Sequence, residues 1–191
     1  GALMRIIAGR WGGRVLEAPR GRETRPTPDR VREALFSILG DLEGSAVLDL
    51  FAGTGAVALE ALSRGAARAV CVERARAPLA CLRSNAQALC APLDVRPEDA
   101  LRFLARTPEP FDLVFADPPW AQVERVLSEA GPLVAGWVRS GGRFVLERSA
   151  RDAPPPRLPG FEFPSARRYG DAALLFYERA EDLVSGTGCA P

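Results

Sequence analysis

Three observations predict an α/β domain: a mostly parallel, doubly wound sheet with helices on both faces. From residue 46 onward, short runs rich in Val, Leu and Phe alternate with helix-forming stretches. The first of these runs, residues 47–50, passes through a glycine turn into Ala56, Val57, Ala58, Leu59 and Glu60, as a buried parallel strand does when it hands over to the next helix. A chain of 191 residues, 47% hydrophobic and 26% charged, is long enough for one such domain and has the make-up of an ordinary globular protein.

Taken in order, residues 5–9 and 14–18 are β-prone and flank Trp11, Gly12 and Gly13, which predicts a small hairpin too short to fold alone. Residues 20–26 read as an extended polar loop carrying Arg20, Arg22 and Arg25. Thr27 is placed to cap, and Pro28 to open, a helix that runs to about Leu39 and stops at Gly40. Val31, Leu35, Ile38 and Leu39 would form its apolar stripe, with Arg30 and Arg32 facing elsewhere. Strands are expected near 46–50, 69–73, 93–96, 111–116 and 142–147, and helices near 56–64, 76–89, 98–106 and 121–135, the first closed by Gly65.

Prolines at 154–156 and 159 then interrupt any helix. Residues 161–163 and 172–177 are two further strand candidates separated by 167–171, and with no helix between them they should pair antiparallel. The seven strands would thus form a sheet with one antiparallel member. The organisation expected is a basic arm over 4–40 packed on a main domain over 41–180, followed by a disordered tail at 181–191.

All 25 basic residues are arginine, and the chain has neither lysine nor histidine. Residues 1–32 hold eight arginines against Glu17, Glu23 and Asp29, a net +5, whereas the remainder is −4. A basic arm ahead of a mildly acidic domain suits a phosphate-rich partner, and a solvated face is the competing reading. Cys71, Cys81, Cys90 and Cys189 form no C-x-x-C pair, so buried free thiols are expected, with no disulfide and no metal site. There is no apolar run of about 18 residues and no basic-then-apolar leader, so a cytoplasmic location away from membranes is expected. Without histidine, any proton acceptor must be a carboxylate, a carbonyl or water.

Two ligand classes use a glycine turn such as 53–55. Gly53, Gly55 and Ala58 fit a dinucleotide-binding pattern, and Glu73 lies at the offset of a ribose-binding acid. Asp49, inside the strand just before the turn, tilts the choice toward S-adenosylmethionine: a carboxylate opposes a pyrophosphate but attracts a sulfonium and an ammonium. On that reading Asp49, Phe51, Ala52, Gly53, Thr54 and Gly55 form the cofactor turn. Glu73, with Arg74 beside it, would take the ribose hydroxyls, and Asp99, with Ala100, would take the adenine amino group or else simply stabilise a helix start.

The strand at 111–116 delivers Asp117, followed by Pro118, Pro119 and Trp120. Prolines donate no N–H, so the loop offers acceptors only: the Asp117 carboxylate and the Pro118 carbonyl. Those two acceptors suit the two hydrogens of an exocyclic amino group, and Trp120 can stack on the base that carries it. A proline turn with a packing tryptophan is the alternative reading.

Together these residues resemble the class I, Rossmann-like methyltransferases that act on exocyclic amino groups. Residues 5–14 and 25–36 narrow the likeness to the RsmD family, which modifies guanine N2 in 16S ribosomal RNA, over about residues 5–178. The resemblance implies S-adenosyl-L-methionine as cofactor, 16S ribosomal RNA or the small ribosomal subunit as partner, Asp117, Pro118, Pro119 and Trp120 as the catalytic loop, and Arg10, Arg14, Arg22, Arg25, Arg30 and Arg32 as RNA contacts. Family members more often carry phenylalanine or tyrosine in place of Trp120. The rival readings are an adenine-N6 DNA methyltransferase, a non-catalytic RNA-binding factor with a remnant pocket, and an NAD-dependent dehydrogenase.

Overall fold

The computed structural model describes residues 3–19 and 28–181. Its main sheet has seven strands: β3 (Ala46–Asp49), β4 (Arg68–Val72), β5 (Leu93–Arg96), β6 (Phe111–Ala116), β7 (Val138–Ser149), β8 (Ser165–Tyr169) and β9 (Ala172–Glu178). Their order across the sheet is β5-β4-β3-β6-β7-β9-β8. Only β9 runs against its neighbours, pairing antiparallel with both β7 and β8. This is the expected seven-stranded sheet with one antiparallel strand.

Helices α1 (Asp29–Leu39), α2 (Ala56–Ser63) and α3 (Arg76–Ala88) cover one face, and α4 (Ala100–Leu104) and α5 (Val123–Val134) cover the other. Period-two alternation sorts the strands between them: Val47, Leu113, Phe115 and Val145 pack with α1 and α2, whereas Leu48, Val114, Phe144 and Leu146 pack with α4 and α5. All eight residues of α2 are buried, which explains why its sequence has almost no polar face.

A two-stranded hairpin, β1 (Met4–Arg5) with β2 (Val15–Leu16), lies on α2. Met4, Ile6 and Leu16 meet Ala56 and Leu59 in a small apolar cluster. Buried polar groups complete the join. The Glu60 carboxylate accepts from the backbone N–H of Ile7 at 2.8 Å and of Ala8 at 3.1 Å. Ser63 accepts from the Trp11 N–H at 3.0 Å and donates to the Ala8 carbonyl at 2.6 Å. The hairpin comes so close that a Cβ on Gly9, at φ +83°, would stand 1.9 Å from the Ser63 carbonyl oxygen.

Several expectations are corrected. Arg32, read as outward-facing, is fully buried: its guanidinium donates to the Arg5 carbonyl and to Asp29, and burial lowers its pKa despite Asp29 and Glu60. Phe36 fills the core where Ile38 was expected, and Ile38 is 39% exposed. The expected strand at 161–163 reduces to a single bridge between Phe161 and Arg179. The edge strand is instead Ser165–Tyr169, whose exposed polar sequence gives no burial pattern to read. Of the cysteines, Cys71 is buried, Cys81 partly buried and Cys90 exposed, while Cys189 and the tail beyond Glu181 lie outside the described residues.

Glu60→Ala leaves two part-buried N–H groups without their acceptor and breaks the pair with Arg64, and should destabilise the protein by about 3 kcal/mol. Urea unfolding checks the loss, and hydrogen exchange should show Ile7 and Ala8 losing protection first.

Candidate active site

The sheet order reverses between β3 and β6, whose carboxyl ends therefore open a crevice. A cavity of about 520 Å³ fills it. Asp49, Phe51, Ala52, Gly53 and Thr54 enter from the end of β3, Glu73 and Arg74 from β4, Asp99 and Ala100 from the start of α4, and Asp117, Pro118, Pro119 and Trp120 from β6. Thus the candidate cofactor turn and the candidate catalytic loop share one cavity.

Gly55 is the exception. It is the N-cap of α2 at φ +81°, and a Cβ there would meet Leu82 at 3.2 Å, so it serves the turn and the packing of α3 without lining the cavity. Gly53, at φ +56°, has open space where a Cβ would stand. The Glu73 carboxylate accepts from the Gly53 N–H at 2.9 Å and the Ala75 N–H at 2.6 Å, which fixes both the turn and its own orientation. Each of its oxygens keeps a second lone pair for a ligand.

Asp99 takes the capping role foreseen for it and also faces the cavity. It caps α4 by accepting from Leu101 and Arg102, pairs with Arg74 at 3.3 Å, and lines the cavity. Asp49 is 1% exposed, and burial pushes its carboxyl up to about 7 from the usual 3.8, against the Phe51 N–H and with help from Glu73. A buried acid poised near neutrality is stabilised by an arriving cation.

Asp117 is partly buried at the cavity wall, Pro118 is buried, and Trp120, 37% exposed, opens a 3₁₀ turn (Trp120–Gln122) at the rim. Among the candidate RNA contacts, Arg30 lines the cavity mouth and lies against the Gly170 turn. Arg10 and Arg14 are exposed but sit beside Ser63 and Ala88, at the ends of α2 and α3 remote from the cavity. Arg22 and Arg25 lie outside the described residues. Sequence reasoning missed Glu147 and Tyr169, which also line the cavity. The signal available for Glu147 was a charge closing the apolar run Phe144, Val145 and Leu146. Among the described residues no group of three or more His, Cys, Asp and Glu side chains could hold a metal ion, and no helix is long and apolar enough to cross a membrane.

A sheet of this order, with a glycine turn after β3 and an Asp-Pro-Pro-aromatic loop after β6, defines a class I, Rossmann-like methyltransferase. The family model described as "Conserved hypothetical protein 95" matches residues 4–178. The chain is 37% identical over 180 residues to "Ribosomal RNA small subunit methyltransferase D" of Escherichia coli K12, covering 92% of this chain and 90% of that one. The protein of that name from Haemophilus influenzae is 39% identical over 123 residues, 61% of this chain and 64% of that one. The solved Escherichia coli protein yhhF superposes with a TM-score of 0.84 at 34% identity, over 95% of this chain and all of that one. An RNA methyltransferase from Salinibacter ruber, solved with S-adenosyl-L-homocysteine, shares the fold with a TM-score of 0.61 at 19% identity, over 84% of this chain and 97% of that one. The chain belongs to the conserved hypothetical protein 95 family, that is, the RsmD family.

The Asp49 shift carries a testable sign. An acid whose pKa is higher folded than unfolded holds extra protons in the native state between the two values, so its contribution to stability falls as pH rises through that window. The stability of the wild type minus that of Asp49→Asn should therefore decline from pH 3.8 to about 7 and be flat above. Urea unfolding across that range measures it, and a difference independent of pH would dismiss Asp49 as the titrating group.

Proposed function

We propose that this chain is an S-adenosylmethionine-dependent N-methyltransferase acting on the exocyclic N2 amino group of a guanine in 16S ribosomal RNA. The observation that carries the reading is the single cavity that joins acidic strand tips, suited to a cationic adenosyl ligand, to the acceptor-only loop at Asp117 and Pro118. The relatives named as small-subunit rRNA methyltransferases support ribosomal RNA as the substrate.

The donor set fits the cofactor. Asp49 would attract the ammonium and sulfonium, Glu73 would accept the ribose hydroxyls, and Asp99 would accept from the adenine amino group. Phe51 would pack beside the methionine arm, Ala52, Gly53 and Thr54 would form the turn beneath it, and Arg74 and Ala100 would border the adenosyl part. The cofactor supplies an electrophilic methyl group on sulfur.

The chain's own work is positioning and electrostatics. Asp117 and the Pro118 carbonyl accept the two N–H bonds of the target amine and so aim the nitrogen lone pair. As nitrogen takes the methyl group it gains positive charge, which the same two oxygens stabilise. One N–H proton then passes to Asp117 or to water. Pro119 stiffens the loop, and Trp120 stacks on the base. Arg30 at the mouth, and the arm behind it, would bind phosphates.

Labelled methyl should pass to small-subunit particles lacking guanine-N2 methylation and appear as N2-methylguanosine on nucleoside analysis. Label in N6-methyladenine of duplex DNA would overturn the assignment, and RNA binding without transfer would favour a non-catalytic factor. Asp117→Ala should cut transfer by about 10³-fold with cofactor affinity within about threefold of wild type. Arg30→Ala should weaken RNA binding and lower the log–log salt slope by about 0.7–1; an unchanged slope would remove Arg30 from the phosphate contacts.

A further inference from the structure

Glu147 closes the apolar run of β7, is only 4% exposed, and lines the same cavity as Asp117, Pro118 and Trp120. Nothing in the proposed methyl transfer uses it. Its place follows from strand register. β6 and β7 are parallel neighbours with Ala116 opposite Leu146, so Asp117 and Glu147 are the next residues of the two strands. Alternation puts them on one face: Leu113, Phe115 and Val145 share a core cluster, while Val114, Ala116, Phe144 and Leu146 belong to the other. The backbones that carry the two carboxyl groups are thus neighbours at the ends of adjacent strands, which lie about 4.8 Å apart, and both side chains line the cavity.

Two acceptor side chains on neighbouring strand ends suit a base that presents two adjacent donors. Guanine carries its N1–H directly beside the N2 amino group. Adenine has a bare acceptor at N1, as does 2-aminopurine. An ionised carboxylate only accepts hydrogen bonds, so it pairs with N1–H and repels a lone pair in that place.

We infer that Glu147 reads the N1–H of the target guanine and thereby sets the base specificity of the site. This rests on the guanine-N2 reading above. Asp117 and the Pro118 carbonyl hold the amino group to be methylated, and Glu147 holds the adjacent ring donor. The division makes Glu147 a specificity residue with no part in the transfer itself.

The test uses small-subunit particles whose RNA carries guanine, 2-aminopurine or 1-methylguanine at the methylated position, with labelled methyl transfer as the readout. 2-Aminopurine keeps the amino group but lacks N1–H, and 1-methylguanine keeps both O6 and the amino group but replaces N1–H with methyl. Wild type should favour guanine over each analogue by about 10²-fold or more in kcat/KM. Glu147→Gln keeps an acceptor and adds a donor for a bare N1, so its preference for guanine over 2-aminopurine should shrink by at least about tenfold. A merely structural role would lower both rates together and leave the ratio alone. A ratio in Glu147→Gln within about threefold of wild type overturns the inference. So does wild-type methylation of 1-methylguanine as fast as guanine, a result that needs no variant to fold. Failure of the wild type to methylate guanine N2 at all would instead overturn the underlying reading.

Discussion

Parallel pairing of β3 with β6 is the interaction on which the rest of the molecule depends. Val47 faces Leu113, Leu48 faces Val114 and Asp49 faces Phe115, and the Leu50 N–H continues the ladder to the Phe115 carbonyl at 2.9 Å. From β3 the chain builds outward through β4 and β5; it then returns to place β6 on the other side. The connections after β3 and β6 consequently leave toward opposite faces, α2 to one and α5 to the other, and no backbone fills the gap between them. Every residue assigned to cofactor or base stands at the rim of that gap or on the strand ends next to it.

The amino-terminal arm is tied to this framework chiefly through buried polar groups. Glu60 and Ser63 on α2 hold the hairpin. Asn85 on α3 accepts from the Glu17 N–H at 2.7 Å and donates to both the Glu17 and Thr54 carbonyls at 3.0 Å, linking the arm to the glycine turn. Arg32 joins α1 to β1 from a site where its Nε and one terminal nitrogen find no hydrogen-bond partner among the described residues. A desolvated guanidinium of that kind is costly to bury, so its value lies in fixing geometry more than in net stability. The geometry fixed is that of the cavity mouth. With α1 anchored at Arg32, its first turn holds Arg30 against the Gly170 turn at the cavity mouth.

What was legible in the sequence, and what was not, divides along the range of the signal. The glycine turn, Glu73 and the Asp117 loop could be read because each pairs a strand end with a residue type whose chemistry is local. The alternation of strands and helices was readable because both faces of a parallel sheet must be apolar. Arg32 misled because a long side chain on a helix beside an acid reads as solvated, and only the hairpin arriving above it removes the water. β8 was missed because an edge strand with both faces polar carries no period-two pattern. Glu60, Ser63 and Asn85 were unmarked because the partners that tie them to the arm and the glycine turn lie between 31 and 68 residues away along the chain.

A chain with neither histidine nor lysine assembles its site from oxygen acceptors, and position alone gives them different tasks. Asp49, sealed on the α2 side of the sheet, is pushed toward neutrality and is therefore suited to a cationic ligand that restores its charge. Glu73 is committed to two backbone N–H groups and keeps lone pairs for neutral hydroxyls. On the proposed reading Asp117 stands where a neutral amine would acquire charge, so its stabilisation would grow along the reaction and contribute to rate. Glu147, one strand further, is placed for a ring donor that forms no new bond in the transfer. It selects the base that enters and leaves the speed of the chemistry to its neighbour.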